Sequence, residues 1–258
     1  MVWRRFILRG FAFVALLLTW VSYVTPSLSQ SSRNATGDRR PTHRVPLGSR
    51  SPCADHIIAL VPGDGTIDLQ ADGCGIESIS FPTITWSDSL TLWVYIPDLT
   101  APDLTAKAVL ADERGYALSQ TRVRLPNTAG VIGIHLDYPL DPNRVYLWQF
   151  TVLEHPQSPS RNPLVEGWVE RVIPDSALTR QLETASAQQR IAIYTQNNNW
   201  LDAFTTQAEL QRDHPNETTL QTQWLDLLNA QGLGAIAPLP LLNCCTPVDT
   251  NPSQPVSH

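Results

Sequence analysis

Charge is the first shortage. Only 16% of the 258 residues are Asp, Glu, Lys or Arg, and the balance is acidic, with 18 basic residues against 24 acidic ones. An acidic chain argues against nucleic acid and against anionic membrane surfaces as partners. Catalytic signatures are missing as well. There is no Gly-x-Ser-x-Gly elbow, no glycine-rich phosphate loop, no His-Glu-x-x-His and no Cys-x-x-Cys. The six histidines, His43, His56, His135, His155, His214 and His258, are scattered, and none has a metal-ligand neighbour at a strong spacing. The sequence therefore assigns no catalytic, cofactor-binding or metal residue. What is plentiful is proline, at 21 residues, and tryptophan, at 8. That texture suits a β-rich extracellular domain better than a cytosolic helical enzyme.

The N-terminus says where such a protein lives. Arg4, Arg5 and Arg9 form a basic head, and residues 11–24 form an apolar run broken only by Thr19 and Ser22. Fourteen residues fall short of the roughly 20 that span a bilayer core and suit the apolar region of a secretory signal. Ser27-Leu28-Ser29 puts small residues at both positions a signal peptidase reads, predicting cleavage after Ser29 and a periplasmic or extracellular protein. The alternative is an uncleaved N-terminal anchor, which would be the membrane attachment. Cleavage removes three arginines and no acid, leaving 15 basic residues against 24 acidic, a net charge of −9. The remaining basic cluster, within residues 30–51, sits in a Ser/Thr/Pro/Gly-containing tract with little apolar content and reads as a disordered leader. Its sharper reading is a tether to an anionic surface.

Four cysteines in an exported chain predict disulfides. Cys53 and Cys74 frame a short loop, and Cys244 adjoins Cys245 near the end. Neighbouring cysteines seldom bond each other, because the geometry is strained. Cys53–Cys74 is the favoured bridge, closing a loop worth roughly 3 kcal/mol on a chain-entropy argument. The rival is a staple from Cys53 or Cys74 to Cys244 or Cys245. A redox or metal role for the adjacent pair has no nearby His to support it.

The middle of the chain reads as strands. Residues 57–61 are a short apolar strand, and the polar stretch that follows carries Asp64, Asp68 and Asp72. Their every-fourth spacing is not that of a calcium loop of the helix–loop–helix kind, which wants acids at alternate positions, so a turn-rich insertion closed by Cys74 is expected. Leu90–Ile96, Leu-Thr-Leu-Trp-Val-Tyr-Ile, is the most strand-like run. Its alternation sets Leu90, Leu92, Val94 and Ile96 on one face and Trp93 and Tyr95 on the other. Asp112-Glu113-Arg114-Gly115 marks a hairpin turn, and Tyr146, Trp148, Phe150 and Val152 form the richest apolar stripe, expected to meet Leu90–Ile96 across the core. Eight or nine strands at regular spacing predict an antiparallel β-sandwich over residues 52–174, immunoglobulin-like in the loose sense and lacking a Cys–Trp–Cys signature.

After Pro174 the pattern turns helical. Asp175 or Ser176 caps a helix to Thr184, and Ser186 caps a second to about Gln196. A third covers residues 200–214, and a fourth carries Leu220, Trp224, Leu227 and Leu228 at helical spacing. Tyr194, Ala203 and Pro215 are spaced as in a tetratricopeptide unit. This makes residues 175–235 a small tetratricopeptide-like domain, followed by an irregular Pro-rich tail over residues 236–258.

The chemistry-bearing candidates are few. His135 and Asp137 share one direction on a strand, with no Ser or Cys placed as nucleophile. Glu166 and Glu170 with Asp175 offer paired carboxylates for glycoside chemistry, although acids on a wet strand face are far commoner. The better lead is Trp93 and Tyr95, a candidate binding surface for glycan or peptide if exposed and second-layer packing if covered.

Leu92-Trp93-Val94-Tyr95-Ile96-Pro97, Gly130-Val131, Tyr146-Leu147-Trp148 and Val165-Glu166-Gly167-Trp168-Val169-Glu170-Arg171-Val172 resemble the cyanobacterial secreted domain of unknown function 928 family. The resemblance runs from Cys53 to about Pro240 and includes the Tyr, Trp and Leu-Leu pattern of residues 191–228. It implies an exported protein and brings no activity, cofactor or catalytic residue. The chain departs from the family twice. Glu154-His155-Pro156 stands where the family tends to have a Cys before an Asp-Pro, and the family lacks the Cys74-bearing insertion. A shifted disulfide partner reconciles both. The expectation is an exported α+β protein of the cell envelope that binds or scaffolds, with an envelope protein or glycan as partner. The alternative is an envelope enzyme acting on glycan or cell-wall material.

Overall fold

A computed structural model of the chain describes residues 52–245 except 64, 73, 75–77, 80, 81 and 100–102, with Thr42–His43 and Ser78–Ile79 described as backbone alone. The signal segment 1–29, the leader 30–51 apart from that strand, Asp64 and the tail 246–258 lie outside the described residues.

The strands are β1 Thr42–His43, β2 Ile58–Ala59, β3 Ser78–Ile79, β4 Thr83–Thr85, β5 Leu90–Ile96, β6 Thr105–Ala111, β7 Ala117–Arg124, β8 Gly130–Leu136, β9 Val145–Val152 and β10 Leu164–Arg171. The helices are α1 Ser176–Thr184, α2 Ala187–Gln196, α3 Trp200–Asp213 and α4 Thr218–Asn229. The result is a mixed α+β fold with two sheets. One runs β7-β6-β9-β10, with β1 antiparallel to β10 at His43 and Glu166, and β3 beyond β1. The other is β2-β5-β8, with Leu90 opposite Leu136 and Ile96 opposite Gly130.

One pairing corrects the all-antiparallel expectation. β4 lies parallel to β10, Thr83 beside Val169. The Ser-Asp-Ser turn at residues 87–89 carries the chain from one sheet to the other, so β4 and β5 are not a hairpin. The expected hairpin forms at Asp112, whose carboxylate accepts the N–H groups of Arg114 and Tyr116, with Gly115 at φ +85°.

Alternation decides the packing. Leu90, Leu92, Val94 and Ile96 of β5 share one apolar cluster with Tyr146, Trp148, Phe150 and Val152 of β9 and with Ala106, Ala108 and Leu110 of β6. The other face of β5 and β8 builds a second cluster with the helices: Trp93, Tyr95 and Val131 meet Trp200, Phe204, Trp224, Leu227 and Leu228. The change of texture at Pro174 thus marks a change of secondary structure, while the helices complete a core that the small sheet begins. The helix starts follow their capping chemistry. Asp175 accepts from Ala177 and Leu178, Ser186 and Gln189 form a capping box, and Asn199 accepts from Asp202. No helix among the described residues is long and apolar enough to cross a membrane.

The tail segment is less irregular than its prolines suggest. Val131 donates to the Pro240 carbonyl and Leu242 donates to that of Val131, both at 2.8 Å. Residues 237–242 thereby form a strap against the start of β8, beside Leu241 in a parallel bridge.

Candidate functional site

Trp93 and Tyr95 are each only 3% exposed, which corrects their reading as a candidate binding surface. The cause is α3. The Trp93 indole N–H donates to Thr205 Oγ1 at 3.1 Å, its ring meets Phe204 edge-on at 5.8 Å, and the Arg212 guanidinium lies over it at 5.2 Å. The Tyr95 hydroxyl donates to the Ala54 carbonyl at 2.9 Å. Burial pushes that hydroxyl above the usual tyrosine pKa, with the charges of Asp98 and Asp55 adding to it.

Cys53 and Cys74 form a disulfide, Cα atoms 4.6 Å apart. Cys74, carried by the insertion, is thus the partner of buried Cys53. Cys244 and Cys245 are bonded to each other, so no staple ties Cys53 or Cys74 to the C-terminal pair. His135 is exposed on β8, opposite Thr91, and Asp137 follows it at the surface. Glu166 and Glu170 alternate with the buried Val165 and Val169 on the outward face of β10, and Glu166 accepts from Gln149 at 2.8 Å. Arg171 turns to the Leu140 carbonyl. His135 and Asp137 on and after β8 stand apart from Glu166, Glu170 and Arg171 on β10, which lies in the other sheet.

Two other places do gather side chains. The first is a polar cleft of about 270 Å³ between α3 and the strands β4, β5 and β8, lined by Ser87, Ser89, Thr91, His135, Tyr194, Asp202, Thr205, Thr206 and Glu209. Its floor is Asp202, buried on the first turn of α3. Thr85 Oγ1 donates to one carboxylate oxygen at 2.6 Å; the Trp86 N–H and Asn199 Nδ2 donate to the other, both at 2.7 Å. Burial pushes the Asp202 carboxyl above the ordinary carboxylate range, against these hydrogen bonds, which favour its charge. Tyr194 beside it is raised too, first by burial and then by Asp202. With its oxygens engaged by three donors, Asp202 joins helix to sheet and is poorly placed to handle a substrate proton.

The second is a groove of about 570 Å³ between α3, α4 and the strap, with Gln211, Arg212, Gln221, Trp224 and Leu225 on one side and residues 237–241 on the other. Leu225 is 40% exposed at its edge, one of the few large apolar side chains that the described surface shows. Trp224 is only 1% exposed, yet its Nε1 has no hydrogen-bond partner, and neither has the buried Oε1 of Gln211. Arg171 Nε, Trp200 Nε1 and Gln207 Oε1 are buried without a partner as well, so this feature is shared with places outside the groove. Among the described lining residues Arg212 alone is charged.

Sequence reasoning missed both places. A signal was present for each: Asn199 three residues before Asp202 is a capping spacing, and Gln207 and Gln211 fall one turn apart on an inward face of α3, where polar amides are unusual.

This is a mixed α+β protein with two sheets and four helices, and among the described residues no group of three or more His, Cys, Asp or Glu is disposed to hold a metal. The chain belongs to the Domain of Unknown Function (DUF928) family, whose model matches residues 35–241. A comparison with curated proteins finds no match.

Proposed function

We propose that the chain is an exported, non-enzymatic binding or scaffolding protein of the cell envelope that engages a protein partner through its helical side. In this reading the two sheets are a sandwich, immunoglobulin-like in the loose sense, and α2–α3 with the start of α4 are a tetratricopeptide-like hairpin held on it. The observation that carries the reading is the groove beside Trp224, where the exposed Leu225 and the strap's Leu239 and Leu241 adjoin Arg212, the charged residue among its described lining. The basic N-terminal head with its apolar run, and a disulfide at Cys53–Cys74, favour an oxidising compartment outside the cytoplasm.

The test is site-directed photo-cross-linking in the intact full-length protein, with the reactive group at position 225 and a control at the exposed Tyr116 on the β6–β7 turn. A discrete adduct from position 225 and none from position 116 is expected. Equal adducts from both, or none from either, contradict the reading.

The second reading, an envelope enzyme acting on glycan, is favoured by the polar cleft that gathers His135, Asp202 and Glu209. It predicts release of soluble fragments from purified cell-wall material by the wild-type chain and no release by Glu209→Gln.

A further inference from the structure

We infer that the Cys244–Cys245 bond is a redox-operated latch for the strap: oxidised, it holds the strap's end against the strands; reduced by a protein dithiol, it lets that end leave β8. The inference goes beyond the partner reading and stands whatever enters the groove. Three observations carry it.

The first is how the strap is fastened. Ala237, Leu239 and Leu241 pack on the cluster that the small sheet shares with the helices. Leu242, Cys244 and Cys245 pack on the cluster between the two sheets. The strap thus crosses from one core to the other, and the bonded pair is its last described anchor. Between these anchors the Val131 and Leu242 hydrogen bonds tie it to β8. Leu242 lies so close over Gly130 that a Cβ there would stand 2.6 Å from it. The Cys244 N–H donates to the Leu242 carbonyl at 3.0 Å, which joins the pair to Leu242 in one turn.

The second is the size of the ring. Cys53 and Cys74 are 21 positions apart, Cys244 and Cys245 only 1. The chain-entropy gain of a disulfide grows with the loop it closes, so the adjacent pair adds least to global stability. What it removes is the backbone freedom of its own two residues, and that is local order at the end of the strap.

The third is access. Cys244 and Cys245 are both partly exposed, whereas Cys53 is wholly buried. A thiolate can reach either sulfur of the C-terminal pair. Attack on Cys74 must instead expel the Cys53 thiolate into an apolar cluster, which disfavours it as a leaving group. The two disulfides therefore differ in lability, and the C-terminal one opens first.

The exchange balances simply. One thiolate of the dithiol bonds to one sulfur of the pair, and the other sulfur leaves as a thiolate and takes a proton. The second thiol of the dithiol then displaces the first cysteine and closes the partner's own disulfide. Two electrons and two protons pass to Cys244 and Cys245. Residues 237–241 and Asn243 line the groove beside α3 and α4, so the latch sets the position of that wall.

The test titrates the full-length oxidised chain with reduced thioredoxin, maps alkylated cysteines by mass spectrometry, and follows amide hydrogen exchange. Cys244 and Cys245 are expected to alkylate while Cys53–Cys74 is still closed. In that selectively reduced chain the Val131 and Leu242 amides should exchange about tenfold or more faster, with α2 and α3 unchanged. The double variant Cys244→Ser, Cys245→Ser should exchange like the reduced wild type whether or not thioredoxin is present. Free thiols at Cys244 and Cys245 in the untreated chain overturn the inference. So does opening of Cys53–Cys74 first, or equal exchange at Val131 and Leu242 in the two forms.

Discussion

Asp202 is the residue where the most opposed forces meet. Three donors converge on its carboxylate, yet burial outweighs them and raises its pKa above the ordinary value. An acid whose folded pKa is raised holds its proton longer in the folded state. Its contribution is fully present below the unfolded pKa, about 4, and is lost as pH rises through the folded value. Asp202→Ala leaves the Trp86 N–H, the Asn199 amide and the Thr85 hydroxyl without this acceptor and should cost about 1–3 kcal/mol. Denaturant unfolding across pH 4–8 is expected to show that gap between wild type and variant narrowing as pH rises. A gap that widens would mean the hydrogen bonds, and not burial, set this carboxyl. Gly133 is the second telling residue. A Cβ there would stand 2.8–2.9 Å from the Trp93 ring, so Gly133→Ala should destabilise by about 1–3 kcal/mol. Trp93→Phe in the same chain should recover part of the loss, read as a double-mutant cycle.

Element boundaries were the most legible part of the sequence. The faces of Leu90–Ile96 and Val145–Val152 follow from period-two alternation, and α1 and α2 begin where Asp175 and Ser186 can cap them. Sheet membership was not legible. Three polar residues between β4 and β5 look like a hairpin turn, and only the distant β10 reveals that β4 pairs there in parallel. The fate of Trp93 and Tyr95 was beyond local pattern for the same reason. Trp93 is met by Phe204, Thr205 and Arg212, more than a hundred residues away, and the Tyr95 hydroxyl by Ala54, so exposure is decided by distant packing. If this face is core, Trp93→Ala should cost about 3–5 kcal/mol in denaturant unfolding. A loss below 1 kcal/mol would return it to the surface. The candidate groove was hidden for a further reason: a Gln, an Arg and a Trp on two helices carry no motif, and they acquire meaning only when the strap closes over them.

At the scale of the whole molecule, the small sheet is clad on both faces, by the large sheet and by α3 and α4. The helical layer is therefore part of the core that stabilises the strands. The Cys53–Cys74 bridge fixes the turn that receives the Tyr95 hydroxyl. Replacing both cysteines by Ser should cost about 3 kcal/mol on the loop argument and appear as a lower unfolding midpoint. The groove proposed as the partner site lies on that helical layer, beside the strap. The central claim is that this groove is where the protein meets its partner. Its most direct test is the affinity of the partner captured from position 225 for the wild-type and Leu225→Lys chains, measured by calorimetry with unfolding midpoints checked alongside. The account predicts binding weakened about tenfold or more at an unchanged midpoint, and equal affinity for the two chains would contradict it.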